Sequence, residues 1–371
     1  MTPSFVPPAL THIPWRVIVP ITLLVLFGSS VLYSAASGNF QPFASSHLIR
    51  FAIFLAMALV MSRFPQDLVK WSAFPVYAGV LVLLMLVEAL GAIGGGSQRW
   101  LDLGFIVLQP SELMKPAIVL VLARFYGSLP AGLVSSWRGL LPACLLIAIP
   151  AGLVLIQPDL GTGLAISFGG LVIMFLAGLP LRWFLLGGGA ATVIAPIAYF
   201  FVLHDYQRRR VTTFLDPESD PLGAGYHITQ SKIAIGSGGW FGKGFGHGSQ
   251  SHLNYLPEPH TDFVFATMAE EWGLLGGFFV LIVFGIVLSW GMQVALRSRD
   301  RFARLLAAGM TATIFFYVAI NLMMVMGLAP VVGIPLPFMS HGGSSMMTNM
   351  ICVGTLMMID RWNRKAPSTL N

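Results

Sequence analysis

Ten apolar runs of about 20 residues each, parted by short polar segments, constrain this chain more than any other feature. A run of that length crosses the roughly 30 Å hydrocarbon core of a bilayer as a helix. Only 10% of the 371 residues are charged and 56% are hydrophobic, whereas a soluble domain carries about 25% charge. Too few charges are present to coat a globular surface. Inside lipid every backbone N–H and C=O must be paired within the protein, which leaves helices or a closed barrel. Alternation of period two is absent, so a barrel is not expected. The expected fold class is all-α, a polytopic membrane protein of about ten transmembrane helices in a single membrane domain over 1–371. The spans are predicted at roughly 15–35, 46–63, 71–92, 110–127, 139–156, 161–178, 181–203, 263–292, 303–326 and 340–360.

Ser34-Ala35-Ala36-Ser37 after the first run resembles a signal-peptidase site. Retention of that run is expected, because it is long for a signal segment and the charge pattern works with it in place. The positive-inside rule then fixes orientation. With the N-terminus inside, cytoplasmic segments hold 13 of the 21 basic residues, including Arg16, Arg63, Arg297, Arg299, Arg304 and Arg364. Short external segments hold only Arg50, Arg99 and Lys115. Both termini are expected to be cytoplasmic, with 204–262 a large external loop between helices 7 and 8. A loop of that length is expected to be functional. Short amphipathic helices on the membrane surface are expected in it, since Ile233, Ile235, Trp240 and Phe241 need an apolar contact. The net charge of +6 is read through topology and not as a nucleic-acid signal.

Ionisable residues at the span edges need a partner or a wet cavity. Glu112 and Lys115 are i and i+3 on one helix face, next to Pro110 at the helix start. They read either as a structural ion pair or as the lining of a substrate cavity. Asp159 follows Gln157-Pro158 and reads as the cap of the sixth span. Asp262 stands where the loop re-enters a helix, and reads either as an N-cap or as a general base. Glu270 and Glu271 lie about 12 Å further along that helix. They are either a buried pair or the source of a raised Asp262 pKa, and 263–272 are expected to line a wet cavity. Lys232, Lys243 and Arg208–Arg210 would hold an anion, either a lipid pyrophosphate or membrane headgroups. Gly242-Lys243-Gly244 lacks the Ser or Thr of a phosphate loop. His247, His252 and His260 lack metal-ligand spacing, so no metal site is expected from them. Cys144 and Cys352 read as small buried hydrophobes. The stretch Asn321–Ser345, rich in Gly and Pro, reads as a re-entrant or broken-helix segment.

Taken together, these motifs resemble the FtsW/RodA/SpoVE, or SEDS (shape, elongation, division and sporulation), family over about residues 13–363. The resemblance rests on Gly96-Ser97-Gln98-Arg99-Trp100-Leu101-Asp102, Gln109-Pro110-Ser111-Glu112, Gln157-Pro158-Asp159-Leu160-Gly161-Thr162, Asp216-Pro217 through Gly225-Tyr226, Gln230-Ser231-Lys232, Leu256 through Phe263, and Asn321 through Ser345. His341 stands where the family signature usually has Tyr. The short N-terminus and the string from Asp216 to His227 favour the elongation (RodA-type) branch over the division branch.

The resemblance implies a peptidoglycan glycosyltransferase that polymerises lipid II, the undecaprenyl-pyrophosphate disaccharide-pentapeptide. It would act at the outer face of the bacterial cytoplasmic membrane during elongation. Asp262 matches the family's essential carboxylate. The implied substrate cavity draws on Glu112, Lys115, Arg99, Trp100, Asp159, Arg210, Lys232, Lys243, His260, Thr261, Ser340 and Ser344. A divalent cation, Mg or Mn, is a possible cofactor. A class B penicillin-binding protein transpeptidase and other elongation proteins are the implied partners, with membrane lipid and no nucleic acid. A lipid II flippase or transporter and a non-catalytic scaffold are the alternatives.

Overall fold

The computed structural model describes residues 14–90, 92–94, 97–102, 107–201, 208, 212–214, 216, 223–253, 255–256 and 258–365. Ten long helices account for most of them: α1 (Trp15–Ala35), α2 (Phe43–Met61), α3 (Gln66–Leu90), α4 (Pro110–Ser128), α5 (Trp137–Ile156), α6 (Leu160–Leu176), α7 (Leu181–Phe201), α10 (Val264–Arg297), α11 (Arg301–Val325) and α12 (Gly343–Lys365). Six of these are long and apolar enough to cross a membrane by length and composition: α1, α2, α3, α5, α10 and α11. The other four fall short for separate reasons. The helix α6 has 17 residues. The apolar stretch counted in α7 is Leu181–Ile194. The helix α4 carries Glu112, Lys115 and Arg124, and α12 carries Asn349, Asp360 and three basic residues.

The polar helix α4 sits inside the bundle, packed against α3, α6 and α11, with further contacts to α5 and α12. Its neighbours cover Glu112 and Lys115, which is how charges are kept out of lipid. The outer helices show the reverse pattern, with Leu185, Leu186 and Val193 of α7 exposed, as a lipid-facing surface requires. Cys352 is buried as expected, but Cys144 is exposed on α5.

Helical expectation missed one element. Three short strands form a small antiparallel sheet in the order β1 (Ala92–Gly94), β2 (Ser97–Asp102), β3 (Val107–Leu108). Strands this short carry too few residues for a period-two pattern to stand out.

In the expected loop, α8 (Ala224–Ser237) and the single turn α9 (Ser249–His252) pack on α10. Ala234 of α8 is buried and Ile235 packs against the core, while Ile233, Trp240 and Phe241 are exposed. The Ser231 hydroxyl donates to the Val325 carbonyl at 2.7 Å. The helix is thus fixed to the bundle through both apolar and polar contacts.

The helix α10 is broken at Gly273, whose φ of 62° and ψ of −158° are not helical. The Gly-rich run supplies what the break removes. Lys243 and Gly244 donate N–H bonds to the carbonyls of Glu270 and Glu271, and Leu274 and Leu275 donate to the carbonyls of Gly239 and Trp240. A Cβ on Gly273 would come within 2.4 Å of the Gly242 nitrogen. Glycine at 273 therefore serves both the left-handed backbone and the close approach of the loop.

Candidate active site around Asp262

Asp262 lies in the turn that leads into α10, two residues before the helix begins. It is not the N-cap, a place taken by Phe263 with no side-chain cap bond. What holds the turn is Asn321 of α11. Its amide donates to the Asp262 carbonyl at 2.9 Å and to the Ile334 carbonyl at 2.8 Å. One side chain thereby ties the catalytic candidate to the re-entrant segment 327–342. Gly333 of that segment has φ 68°, and a Cβ there would stand 3.4 Å from Asp262 Oδ2.

Among the described residues the Asp262 carboxylate accepts no hydrogen bond. Its pKa is pushed up to about 6, first by burial and then by the nearby negative charge of Glu258. The sequence expectation that Glu270 and Glu271 would raise it is corrected. Glu270 is fully buried, and its carboxylate takes bonds from Lys243 (2.6 Å), the Ser249 hydroxyl (3.0 Å) and the Gln250 N–H. Glu271 accepts from the Ser34 hydroxyl. Residues 264–271 are packed in protein, and do not line a wet cavity.

Beside Asp262, the Thr261 hydroxyl donates to Glu258 Oε2 at 3.2 Å. The His260 ring stacks on Phe43 with centroids 3.9 Å apart. The backbone N–H of His341 donates to the His260 carbonyl at 2.8 Å. An Arg50 N–H donates to His341 Nε2 at 3.1 Å, since arginine has donors only. Burial, and then Arg50, lower the His341 pKa to about 4; burial also lowers that of His260. The His341 ring is therefore neutral near pH 7. Ser340 accepts from the Leu336 N–H at 2.9 Å, which shapes the re-entrant turn, and Ser344 is the second residue of α12, next to Gly343, where an added Cβ would stand 3.5 Å from the Arg50 guanidinium.

One helical turn further into the bundle lies a second polar group. Lys115 Nζ is 2.5 Å from Glu112 Oε1 and donates to the Tyr317 hydroxyl at 2.7 Å. The Tyr317 hydroxyl donates to the other oxygen of Glu112. Tyr317 and Asn321 are i and i+4 on α11, so they share a face about 6 Å apart along the axis. All three charged and phenolic groups are satisfied by one another.

The other expected site residues are spread. Arg99 Nε donates to the Gln157 carbonyl at 3.0 Å and its guanidinium also reaches the Pro158 carbonyl. It ties β2, which also carries the partly exposed Trp100, to the α5–α6 corner. Asp159 caps α6 by accepting from the Thr162 N–H at 3.1 Å, and Gln109 donates to it. Lys243 is held by Glu270. Its backbone N–H and that of Gly244 serve the broken helix, so neither is available to a phosphate. Lys232 is exposed, and its chain lies over Gly327 of the re-entrant segment. Arg210 and the string 217–221 lie outside the described residues. Sequence reasoning missed Tyr317, the Arg50–His341 contact and the clamping role of Asn321. A Tyr and an Asn one turn apart inside an apolar run were the available signal.

Among the described residues there is no group of three or more His, Cys, Asp or Glu side chains able to hold a metal ion.

Residues 9–365 match the FtsW/RodA/SpoVE family, described as cell cycle proteins. The chain is 44% identical over 352 residues to the peptidoglycan glycosyltransferase MrdB of Escherichia coli K12, an alignment covering 94% of this chain and 93% of that protein. Among solved structures it resembles a chain from a work on the coordination of polymerization and crosslinking by a peptidoglycan synthase complex. There the TM-score is 0.82 and the identity 32%, over 95% of this chain and 98% of that one. It also resembles the rod shape determining protein RodA of Thermus thermophilus, with a TM-score of 0.71 and 28% identity, over 94% and 96% of the two chains.

Proposed function

The chain belongs to the FtsW/RodA/SpoVE family of cell cycle proteins, and from that membership we propose that it is a peptidoglycan glycosyltransferase with Asp262 as its general base. The observation that carries the residue assignment is the state of that carboxylate. It has no hydrogen-bond donor among the described residues, is half-buried, and has its pKa raised to about 6. A base works best when its pKa approaches the working pH.

The proposed substrate is lipid II. An α-linked pyrophosphate donor and a β-1,4 product require a single inversion at the anomeric carbon. The acceptor 4-hydroxyl attacks that carbon, its proton passes to Asp262, and the C–O bond to pyrophosphate breaks with the electron pair leaving on the phosphate oxygen. The leaving group needs no acid, unlike a sugar ether. Positive charge near it lowers the barrier. Of the basic residues expected in the cavity, Arg99 is bonded to the Gln157 and Pro158 carbonyls, Lys115 and Lys243 are engaged in ion pairs and Arg210 is outside the described residues. Lys232, exposed beside the re-entrant segment, is our candidate. Mg or Mn is a variable for the assay, and the steps above use the chain's own side chains.

The Asp262 end is proposed to face outward and the end carrying both termini the cytoplasm, on the strength of the basic residues there. A class B penicillin-binding protein is the proposed partner. The test is polymerisation of labelled lipid II by purified protein. Wild type should build glycan strands and Asp262→Asn should not. An Asp262→Asn protein that polymerises at the wild-type rate would remove the residue assignment. Vesicles in which lipid II changes leaflet without strand synthesis would favour a flippase.

A further inference from the structure

At the end of the bundle away from Asp262, a recess of about 890 Å³ lies between the starts of α1 and α11 and the ends of α10 and α12. Four arginines line it, Arg16, Arg297, Arg299 and Arg364, against two carboxylates, Asp300 and Asp360. Three tryptophans join them, Trp15, Trp290 and Trp362.

The walls are fixed by bonds of their own. Asp360 pairs with Arg364 at 2.5 Å. Asp300 takes Gln66 at 2.7 Å and Lys70 at 3.3 Å. Asn363 donates to the Val294 carbonyl and the Ser298 hydroxyl, and Trp362 donates to the Phe64 carbonyl. Both carboxylates are therefore already neutralised. Arg16 and Arg297 form no hydrogen bond or ion pair among the described residues, and each is exposed at the recess. The flanking segments 1–13 and 366–371 contain no Asp or Glu with which to meet them.

We propose that this recess binds the headgroup of an anionic phospholipid, with Arg16 and Arg297 taking the phosphate. Two planar guanidinium forks suit a phosphodiester, which each can grip bidentately. The indoles favour the same ligand. Trp15 is 52% exposed as the first residue of α1, and at the end of a spanning helix an amphipathic ring sits at headgroup depth. Trp290 is nearly buried, giving the recess an apolar wall for glycerol and the first acyl carbons. Basic pockets between transmembrane helices bind anionic headgroups in this way. The inference is independent of the polymerase reading, since it concerns the opposite end of the molecule and is read by lipid retention.

The full chain, purified in a non-ionic detergent and mixed with equal phosphatidylglycerol and phosphatidylcholine, is examined by native mass spectrometry. Wild type should retain phosphatidylglycerol preferentially, and the pair Arg16→Gln with Arg297→Gln should lower that preference tenfold or more. The control pair Arg124→Gln with Arg182→Gln removes equal charge at the same end of the bundle and should leave it unchanged. An equal loss in both pairs means diffuse attraction and overturns the site. Displacement of the lipid by millimolar inorganic phosphate means a small-anion site and overturns the lipid assignment. Lipid II polymerisation by the Arg16, Arg297 pair should stay at the wild-type rate, which reports that the variant is folded. Trp15→Ala, read in the same way, should lose preference several-fold and covers the case in which the double variant does not fold.

Discussion

Asp262 and Glu270 stand eight residues apart at the start of one helix, and their surroundings are opposite. Glu270 is fully buried and holds four hydrogen bonds from three residues, among them the ammonium of Lys243. Asp262 is partly accessible, accepts none among the described residues, and lies under the influence of a second acid, Glu258. A carboxylate that is fully bonded stabilises its ionised form and serves the architecture. One that is desolvated without donors keeps its affinity for a proton. Burial alone therefore does not mark a base; burial without donors does.

The sharpest break of this comparison is to neutralise each acid in turn. Asp262→Asn should cut polymerisation by about 10²- to 10⁴-fold, the usual contribution of a positioned base. Its thermal stability should be unchanged or higher. The sign follows from the raised pKa: the fold disfavours ionised Asp262, so this group costs stability as pH rises from its unfolded value near 3.8 through about 6. A neutral amide removes that cost. Glu270→Ala should do the reverse. It orphans the Gln250 N–H and Lys243, for a loss of about 2–3 kcal/mol, moderated because water reaches the 31%-exposed ammonium. Unfolding in detergent measures the loss, and turnover per folded molecule should be retained. If Glu270→Ala loses turnover while staying folded, the division of labour proposed here is wrong.

Much of this was legible in the residues. Each of the ten runs emerged as a helix, because apolar length is a signal carried by every residue in the run. Asp159 caps α6 and Glu112 pairs with Lys115, because both are contacts within four residues of the same chain. Failures came where the partner is distant in sequence. Lys243 meets Glu270 across 27 residues and Arg50 meets His341 across 291; no local pattern announces either. The Gly-rich run 236–244 was also misleading in isolation. Its Lys243 was expected to hold an anion, yet the N–H groups of Lys243 and Gly244 are spent on the carbonyls freed by the break at Gly273. Asp262 was found through its motif, but its neighbour Asn321 was noted only as the start of a stretch.

Asn321 supplies a smaller test of the same contrast. Asn321→Leu leaves the Asp262 and Ile334 carbonyls without their donor, at about 1–2 kcal/mol. Because the amide holds the backbone and not the carboxylate, kcat should fall while the acid limb of the pH profile stays in place. A moved limb would mean that Asn321 acts on the charge of Asp262 and not on its position.

Glu258→Gln should have the smallest effect and is the most specific. Glu258 raises the Asp262 pKa through like charge, second to burial. Removing that charge lowers the pKa, so the acid limb of kcat/KM should move to lower pH. The burial contribution remains, so the limb should stay above the ordinary aspartate range. At pH 7 the rate should change little, because a group with a pKa of about 6 is already mostly ionised there. A slight fall is expected, since a stronger acid is a weaker base. Glu258 also holds the Thr261 hydroxyl at 3.2 Å, and Gln retains an oxygen for that bond. The substitution thus changes the charge and spares the turn. An acid limb that moves to higher pH would contradict the like-charge cause. A limb that does not move at all would leave burial as the only source of the raised value, and Asp262 would then be set for catalysis by its packing against Gly333 and the re-entrant segment alone.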